Sequence, residues 1–183
     1  LALRKITEKA STRIAKTAFE IASSRLRSNP KEQVVHSIHK ANVMRLTDGI
    51  FLDSCKNVAS QYKNINYKEM LVDACAAHIV RNPSQFDVIV TTNMFGDILS
   101  DLATELSGSL GLAGSLNAGD NYAMAQAQHG SAPDIAGKNI ANPISLILST
   151  SMLLNWIGKK QKIQNLILAS DLLDKSVTSL LED

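Results

Sequence analysis

The pattern of apolar and polar positions predicts several helices separated by short strands. Apolar residues recur about every 3.6 positions from Thr7 to Arg27, with lysine and arginine between them, which predicts an amphipathic helix. Short runs rich in valine and isoleucine predict strands at 33–38 and 88–92. A segment that alternates alanine and methionine with polar residues predicts a third strand at 122–128. The chain therefore changes repeatedly from one kind of element to the other.

Helical patterns cover further segments, which are 49–62, 69–81, a segment that begins at Gly96, 144–156 and 162–181. Thr47 and Asp48 can cap the first of these helices, and Gly158 to Lys160 separate the last two. The 69–81 pattern is apolar over much of its circumference. Asp73 is therefore predicted to lie in apolar surroundings and to need a salt bridge or hydrogen bond. Trp156 is expected in the core.

Composition narrows the class of protein. With 183 residues and 45% hydrophobic content, the chain can form one substantial core or parts of two, as expected of a soluble globular protein. A net charge of +2 gives no reason to expect nucleic acid or a membrane surface as a partner. No apolar stretch approaches the roughly 18 to 20 residues of a membrane span. Two cysteines without C-x-x-C spacing fit a reducing compartment, the cytoplasm or the mitochondrial matrix.

Several side chains suggest a site without defining it. Asp97 and Asp101 are four residues apart, so on a helix their like charges lie on one face. Either the face is solvated near a helix N-terminus, or a divalent cation such as Mg²⁺ or Mn²⁺ offsets the repulsion. Lys40 follows a predicted strand, where a solvated lysine is the ordinary expectation. His36 and His39 would point to opposite faces of that strand, which argues against a zinc site.

Longer motifs resemble one family. The segment NMFGDILSD at 93–101, followed by GSLGL at 108–112, resembles the signature of the metal-dependent β-decarboxylating dehydrogenases, which act on isocitrate, isopropylmalate, homoisocitrate or tartrate. HKANVMR at 39–45, followed by Thr-Asp-Gly, is similar to the lysine segment of the isocitrate branch. HGSAPDIAG at 129–137 resembles the loop that holds the adenosine end of the cofactor in that family.

The resemblance implies an α/β isocitrate/isopropylmalate dehydrogenase-like fold with a non-Rossmann dinucleotide site. The Gly-rich stretch after Gly108 agrees, because its G-x-x-G-x-x-G spacing does not fit the Rossmann fingerprint. Residues 1–107 would be part of a small dimerisation and substrate domain, and 108–183 the returning part of a large nucleotide-binding domain. The chain would be the C-terminal half of such an enzyme, and we expect it to be inactive alone.

The resemblance also implies roles for individual residues. Lys40 matches the catalytic lysine, and Asp73, Asp97 and Asp101 match the ligands of Mg²⁺ or Mn²⁺. The implied NAD-binding residues are Asn42, His129, Gly130, Ser131, Ala132, Pro133, Asp134 and Asn142. A carboxylate at Asp134 suits the ribose hydroxyls of NAD and would repel the 2′-phosphate of NADP. Family members share the site between two subunits, so a homodimer is implied.

The expected reaction is oxidative decarboxylation of a 2-hydroxy acid, with isocitrate as the first candidate and NAD as the oxidant. Where the family usually has Phe-Glu-x-x-His, this chain has Ala125-Gln-Ala-Gln-His129, which leaves the branch and the substrate open. Isopropylmalate, homoisocitrate and tartrate are alternative substrates. A non-catalytic regulatory subunit of a heteromeric isocitrate dehydrogenase, or a generic α/β nucleotide-binding module, are alternative functions.

Overall fold

The computed structural model describes residues 1, 3–26 and 33–182, which form two compact units, 1–103 and 104–183. The first unit contains α1 (Glu8–Leu26), β1 (Val34–His39), α2 (Arg45–Ala59), β2 (Asn66–Leu71), α3 (Val72–Arg81), β3 (Val88–Thr91) and most of α4 (Asn93–Leu106). The second contains β4 (Gly114–Ala118), β5 (Ala123–Ala127), α5 (Ile144–Gln161) and α6 (Gln164–Glu182). The α/β class is thereby confirmed. The assignment of 1–107 and 108–183 to a small and a large domain stays a prediction.

A three-stranded parallel sheet of order β2-β1-β3 organises the first unit. The chain leaves β1 through α2 to reach β2, then returns through α3 to β3 on the other side of β1. Because all three strands are parallel, their carboxyl ends lie at one edge of the sheet. The change of direction at β1 makes this edge a topological switch point, where α/β proteins commonly bind ligands.

Each face of this sheet carries its own apolar cluster. On one face Val35 packs with Phe19 of α1 and with Phe51 and Cys55 of α2. On the other face Ile38 packs with side chains of α3 and α4, which are Cys75, Ile79 and Leu99. Burial raises the pKa of Cys55 to about 12 and that of Cys75 to about 11, so both free thiols are uncharged core groups.

The second unit is a β4–β5 antiparallel hairpin packed against α5, with α6 packed against α5. Serines of α5 hold the hairpin through its backbone. Ser145 Oγ accepts the Gln128 N–H (3.1 Å), and Ser149 Oγ accepts the Ser115 N–H (2.9 Å). A side chain at Gly114 would lie 3.1 Å from Leu148 Cβ, so glycine permits this close approach of strand and helix.

Several predicted boundaries in the first unit are wrong. α2 begins at Arg45 after Met44, so Thr47 and Asp48 lie inside the helix and do not cap it. Residues 69–71 belong to β2, not to a helix, because this edge strand is largely exposed and shows no apolar alternation. α4 begins at Asn93, three residues before Gly96. The predicted end of α1 at Arg27 lies outside the described residues.

The second unit also differs from expectation. Strand β4 was not predicted, since its sequence GSLNA lies in a Gly-rich stretch. α5 continues through Gly158 to Gln161, and the break before α6 is at Lys162, whose φ of 58° ends the helix. Trp156 is only half-buried, with the Lys160 ammonium 5.1 Å from its ring centroid.

No helix in the described part of the chain is long and apolar enough to span a membrane.

Candidate active site

Three connections meet at the carboxyl edge of the parallel sheet; two carry a predicted site residue, and the third begins the helix that carries Asp97 and Asp101. Lys40 directly follows β1, Asp73 is the second residue of α3 after β2, and Asn93 begins α4 after β3. His39 at the end of β1 is in register with Leu71 at the end of β2. The sheet therefore brings together residues that are far apart in sequence.

Lys40 and Asp73 form an ion pair at this edge. Lys40 Nζ lies 2.6 Å from Asp73 Oδ1, with 25% of the lysine side chain and 65% of the aspartate side chain exposed. The hydrogen bond from Lys40 is the main cause that lowers the pKa of Asp73. The prediction of an apolar environment for Asp73 is wrong, because the first turn of α3 directs it to solvent. The prediction that it has a charged or hydrogen-bonding partner is confirmed.

The backbone of Lys40 is fixed on both sides. Its carbonyl oxygen accepts the N–H groups of Val43 (2.9 Å) and Met44 (2.8 Å), which closes a tight turn. Its N–H donates to Asp48 Oδ2 at 2.6 Å, and Asp48 Oδ1 accepts from Arg4 Nη1 at 2.8 Å. Neither Arg4 nor this role of Asp48 was predicted from the sequence. The available signal was a charged residue on the predicted inward face of a helix.

Asp97 and Asp101 lie on the exposed surface of α4, and Asn93 Nδ2 donates to Asp97 Oδ2 at 3.3 Å. Within the described residues of one chain, no three acidic, histidine or cysteine side chains are close enough to hold a metal ion. Asp73 is therefore not brought to Asp97 and Asp101 within a single chain. All three offer accessible carboxylate oxygens, which are the donors that Mg²⁺ and Mn²⁺ select. Their chemistry fits the ion, and the ligand set stays a prediction.

The predicted cofactor residues fall in both units. Asn42 is exposed in the turn after Lys40. In the second unit His129 to Asp134 form one exposed loop, in which His129 Nδ1 lies 2.9 Å from the Gly130 carbonyl oxygen. The loop turns at Ala132, whose φ is 41°, into a short 3₁₀ helix (Pro133–Ile135). These residues are accessible to a ligand.

Asn142 lies at the start of α5, where its Oδ1 accepts the Ile144 N–H at 3.0 Å. A side chain at Gly111 would lie 3.1 Å from Asn142 Cβ, so the GSLGL segment packs against it. The second glycine of that motif thus has a local packing role. It lets the chain pass close to a predicted adenine-binding residue.

Known proteins with similar sequences belong to the same family that the motifs resemble. The sequence profile described as isocitrate/isopropylmalate dehydrogenase matches residues 1–182. The chain belongs to the isocitrate/isopropylmalate dehydrogenase family. It is 50% identical over 167 residues to an isocitrate/homoisocitrate dehydrogenase of Thermus thermophilus, covering 91% of this chain and 48% of the relative. It is 47% identical to the mitochondrial isocitrate dehydrogenase [NAD] catalytic subunit 5 of Arabidopsis thaliana, covering 90% of this chain and 43% of the relative.

A solved structure of this family supports the fold. The crystal structure of isocitrate dehydrogenase from Methylococcus capsulatus matches with a TM-score of 0.77 and 44% identity, covering 86% of this chain and 45% of that one. The isocitrate/isopropylmalate dehydrogenase-like fold is thereby confirmed. The chain spans about half the length of the relatives that it matches.

Proposed function

We propose that the full gene product containing these residues catalyses the oxidative decarboxylation of a 2-hydroxy acid, with isocitrate as the leading substrate and NAD as the oxidant. Membership of a dehydrogenase family supports the reaction class. The observation that carries the proposal is the Lys40–Asp73 pair at the carboxyl edge of the sheet, 2.6 Å apart and accessible to solvent. The names of relatives support a 2-hydroxy acid as the substrate class, since they include isocitrate, homoisocitrate and 3-isopropylmalate dehydrogenases.

Lys40 is the proposed acid-base group. In its neutral amine form, Nζ would take up the proton of the substrate hydroxyl as the hydride passes to NAD, and the resulting ammonium would return that proton to carbon after carbon dioxide has left. Asp73 would orient the ammonium, since the two groups already share a hydrogen bond. Binding the substrate next to this pair would place the reacting hydroxyl within reach of Nζ.

Asp73, Asp97 and Asp101 would hold Mg²⁺ or Mn²⁺. When bound, the ion would supply stabilisation of negative charge on the substrate oxygen, and NAD would accept the hydride. Since one chain does not gather these three acids, we propose a homodimer in which one copy supplies Lys40 and Asp73 and the other supplies Asp97 and Asp101. No nucleic acid or membrane partner is part of this proposal.

The exposed loop of the second unit is the proposed site for the adenosine end of NAD. His129 and Asn142 would contact adenine, and the backbone at 130–133 would surround the ribose and phosphates. Asp134 would accept hydrogen bonds from both ribose hydroxyls. Its negative charge would repel the extra phosphate of NADP. Asn42, next to Lys40, would bind at the nicotinamide end.

An activity assay of the full gene product tests the reaction. We expect NADH formation with isocitrate, more slowly with homoisocitrate, isopropylmalate or tartrate, and loss of activity with a chelator. Lys40→Met and Asp97→Asn are each expected to lower kcat by about 100-fold or more. Asp171→Asn, an exposed acid of α6, is the control and should retain full activity. If the protein binds isocitrate but oxidises none of the four candidate substrates, a regulatory subunit would be favoured instead.

Mixing two inactive variants tests the shared site. If Lys40 and Asp97 of one site come from different chains, a Lys40→Met/Asp97→Asn heterodimer contains one site with both defects and one intact site. Random reassembly of equal amounts should then recover about a quarter of the wild-type activity. No recovery, with dimers verified by light scattering, would contradict the proposed sharing.

A further inference from the structure

We propose that Arg4 and Asp48 are positioning residues for Lys40, and that Arg4 couples the Lys40 turn to the start of α4. This inference rests on the proposed function, because it assigns a role to residues that hold the candidate acid-base group. It follows from hydrogen bonds that connect three segments at the carboxyl edge of the sheet. Neither Arg4 nor Asp48 belongs to the predicted catalytic, metal or cofactor residues.

Asp48 is completely buried, and both of its side-chain oxygens accept hydrogen bonds. Oδ2 accepts the Lys40 N–H at 2.6 Å and Oδ1 accepts from Arg4 Nη1 at 2.8 Å. A buried carboxylate is costly unless a cation and hydrogen bonds compensate its charge. Arg4 supplies that cation. Because Asp48 has no exposed surface, it cannot touch substrate and can act only through its neighbours.

Arg4 also reaches the third segment. Its second terminal nitrogen, Nη2, donates to Thr92 Oγ1 at 2.9 Å, and its Cζ lies 5.4 Å from the ring centroid of Phe95. Thr92 connects β3 to α4, and Phe95 is a buried residue in the first turn of α4. A planar guanidinium can serve two such partners in fixed directions, whereas a lysine ammonium has no comparable fork.

The result is a rigid link between two predicted functional segments. Arg4 bonds on one side to the carboxylate that fixes the Lys40 backbone, and on the other to Thr92, directly before the helix that carries Asp97. Loss of this link would loosen both the Lys40 turn and the start of α4, which serve the two different sites of the proposed homodimer, without removing any group that meets substrate. Misplacement of a catalytic group by about 1 Å can cost on the order of 100-fold in rate.

A double-mutant cycle in kcat tests this coupling in the full gene product. Arg4→Met is expected to lower kcat by about 10- to 100-fold and to change KM for the 2-hydroxy acid by less than about 3-fold. In a Lys40→Met background the same substitution should produce a smaller further loss, because one of the groups that it positions is already gone. Arg4→Lys should recover part of the rate by restoring only the pairing with Asp48.

Two further variants guard against misfolding and non-specific effects. Thr92→Val removes only the bond from Arg4 Nη2 and leaves both charges in place, so it should fold and lower kcat by about 3- to 10-fold. Arg25→Met is the matched control. It breaks the Arg25–Asp87 ion pair (2.7 Å) just before β3, at the opposite end of the strand, and should leave kcat within about 2-fold of wild type.

Hydrogen exchange at the Lys40 amide gives a readout that does not depend on turnover. Arg4→Met should accelerate exchange at this amide by at least about 10-fold and leave the central amides of β1 unchanged. The inference is overturned if this exchange is unchanged, or if Arg4→Met lowers kcat equally with and without Lys40. If the wild-type gene product has no dehydrogenase activity, the proposed function fails, and the exchange result alone decides whether Arg4 and Asp48 position Lys40.

Discussion

The two units of the chain bury different kinds of side chain. Among the described residues, all the buried apolar side chains except Ile144 and Val177 lie in residues 1–103. In α5 and α6 the remaining buried positions, apart from Gly158, are serines. Ser149 is an example, with its hydroxyl 2.7 Å from the Gln126 carbonyl oxygen and 2.9 Å from the Ser115 nitrogen. Complete burial of apolar side chains is thus concentrated in the first unit, whereas serine hydrogen bonds and close backbone contacts occupy most of the buried positions of α5 and α6.

This difference extends to the surface. α6 leaves large apolar side chains exposed, including Leu168 (55%), Leu172 (67%) and Leu180 (67%). An exposed leucine contributes little to stability, whereas a buried aromatic contributes several kcal/mol. Large-to-small substitutions should therefore be far more costly in the first unit than on α6.

The largest expected effect is that of Phe19→Ala in the first unit. Phe19 is completely buried, and its ring stacks on Tyr62 with centroids 5.0 Å apart. Its removal should lower the free energy of unfolding by about 3–5 kcal/mol. Leu172→Ala on α6 should change it by less than about 0.5 kcal/mol. Urea unfolding of the full gene product, followed by peptide-resolved hydrogen exchange, measures both units separately.

A comparable loss for Leu172→Ala and Phe19→Ala would break the comparison. It would mean that the exposed face of α6 is covered in the assembled protein. Burial would then stabilise both units, and the serine contacts of α5 would be secondary.

The same contrast explains which elements the sequence could predict. α1 and β3 were predicted to within a residue at each described end, because α1 has a clear periodic pattern of apolar positions and β3 is a run rich in valine and isoleucine. β2 and β4 were missed. β2 is a largely exposed edge strand, and β4 is a glycine-containing strand whose partners are backbone groups and a serine. Neither an exposed edge strand nor a strand held by backbone and serine contacts needs a periodic pattern of apolar residues.

Prediction of the site had a similar limit. The motifs identified Lys40 and Asp73, and parallel strand pairing brings them within hydrogen-bond distance. The sequence could not show that the buried Asp48 accepts the Lys40 N–H, or that Arg4, 44 residues away in sequence, donates to Asp48. Such contacts depend on tertiary packing, which no local pattern of residues encodes.

A smaller effect is expected where the second unit depends on close backbone contact. A Cβ at Gly158 in α5 would lie 2.7 Å from Ile167 Cγ1 and 3.1 Å from the Ile167 nitrogen in α6. Gly158→Ala should therefore push α6 away and lower the free energy of unfolding by about 1–3 kcal/mol. Gly49 in α2 has no atom within 4 Å of its Cβ position, so Gly49→Ala should raise stability by about 0.5–1 kcal/mol.

Thermal unfolding of both variants checks these opposite signs. Adding Ile167→Ala to Gly158→Ala should recover only part of the loss, because the contact with the backbone nitrogen remains. A neutral Gly158→Ala would show that the two helices can separate at no cost, and close contact would then not be what stabilises the second unit.

The smallest effect concerns a polar exception in the apolar core of the first unit. His36 is 1% exposed, its ring packs edge-on against Phe86 at 4.8 Å, and its Nδ1 has no hydrogen-bond partner. Burial, with a smaller contribution from the charge of Lys68, lowers the pKa of His36 below 6.5. The unfolded chain therefore binds this proton more readily than the folded protein. Stability should be unaffected above about pH 6.5 and fall as the pH drops below it.

His36→Leu should make this acid-side decline shallower, by at most about 1.4 kcal/mol per pH unit, the limit for one proton. The comparison variant is His39→Gln. Burial also lowers the pKa of His39, but Glu69 and Asp48 oppose that shift, so this substitution should flatten the decline less. The measurement is the urea midpoint at several pH values between pH 5 and pH 8, a range that includes the ordinary histidine pKa of about 6.5. If His36→Leu leaves the pH dependence of stability unchanged, the imidazole has a hydrogen-bond partner or contact with water in solution. The core of the first unit would then be accessible to water at this position.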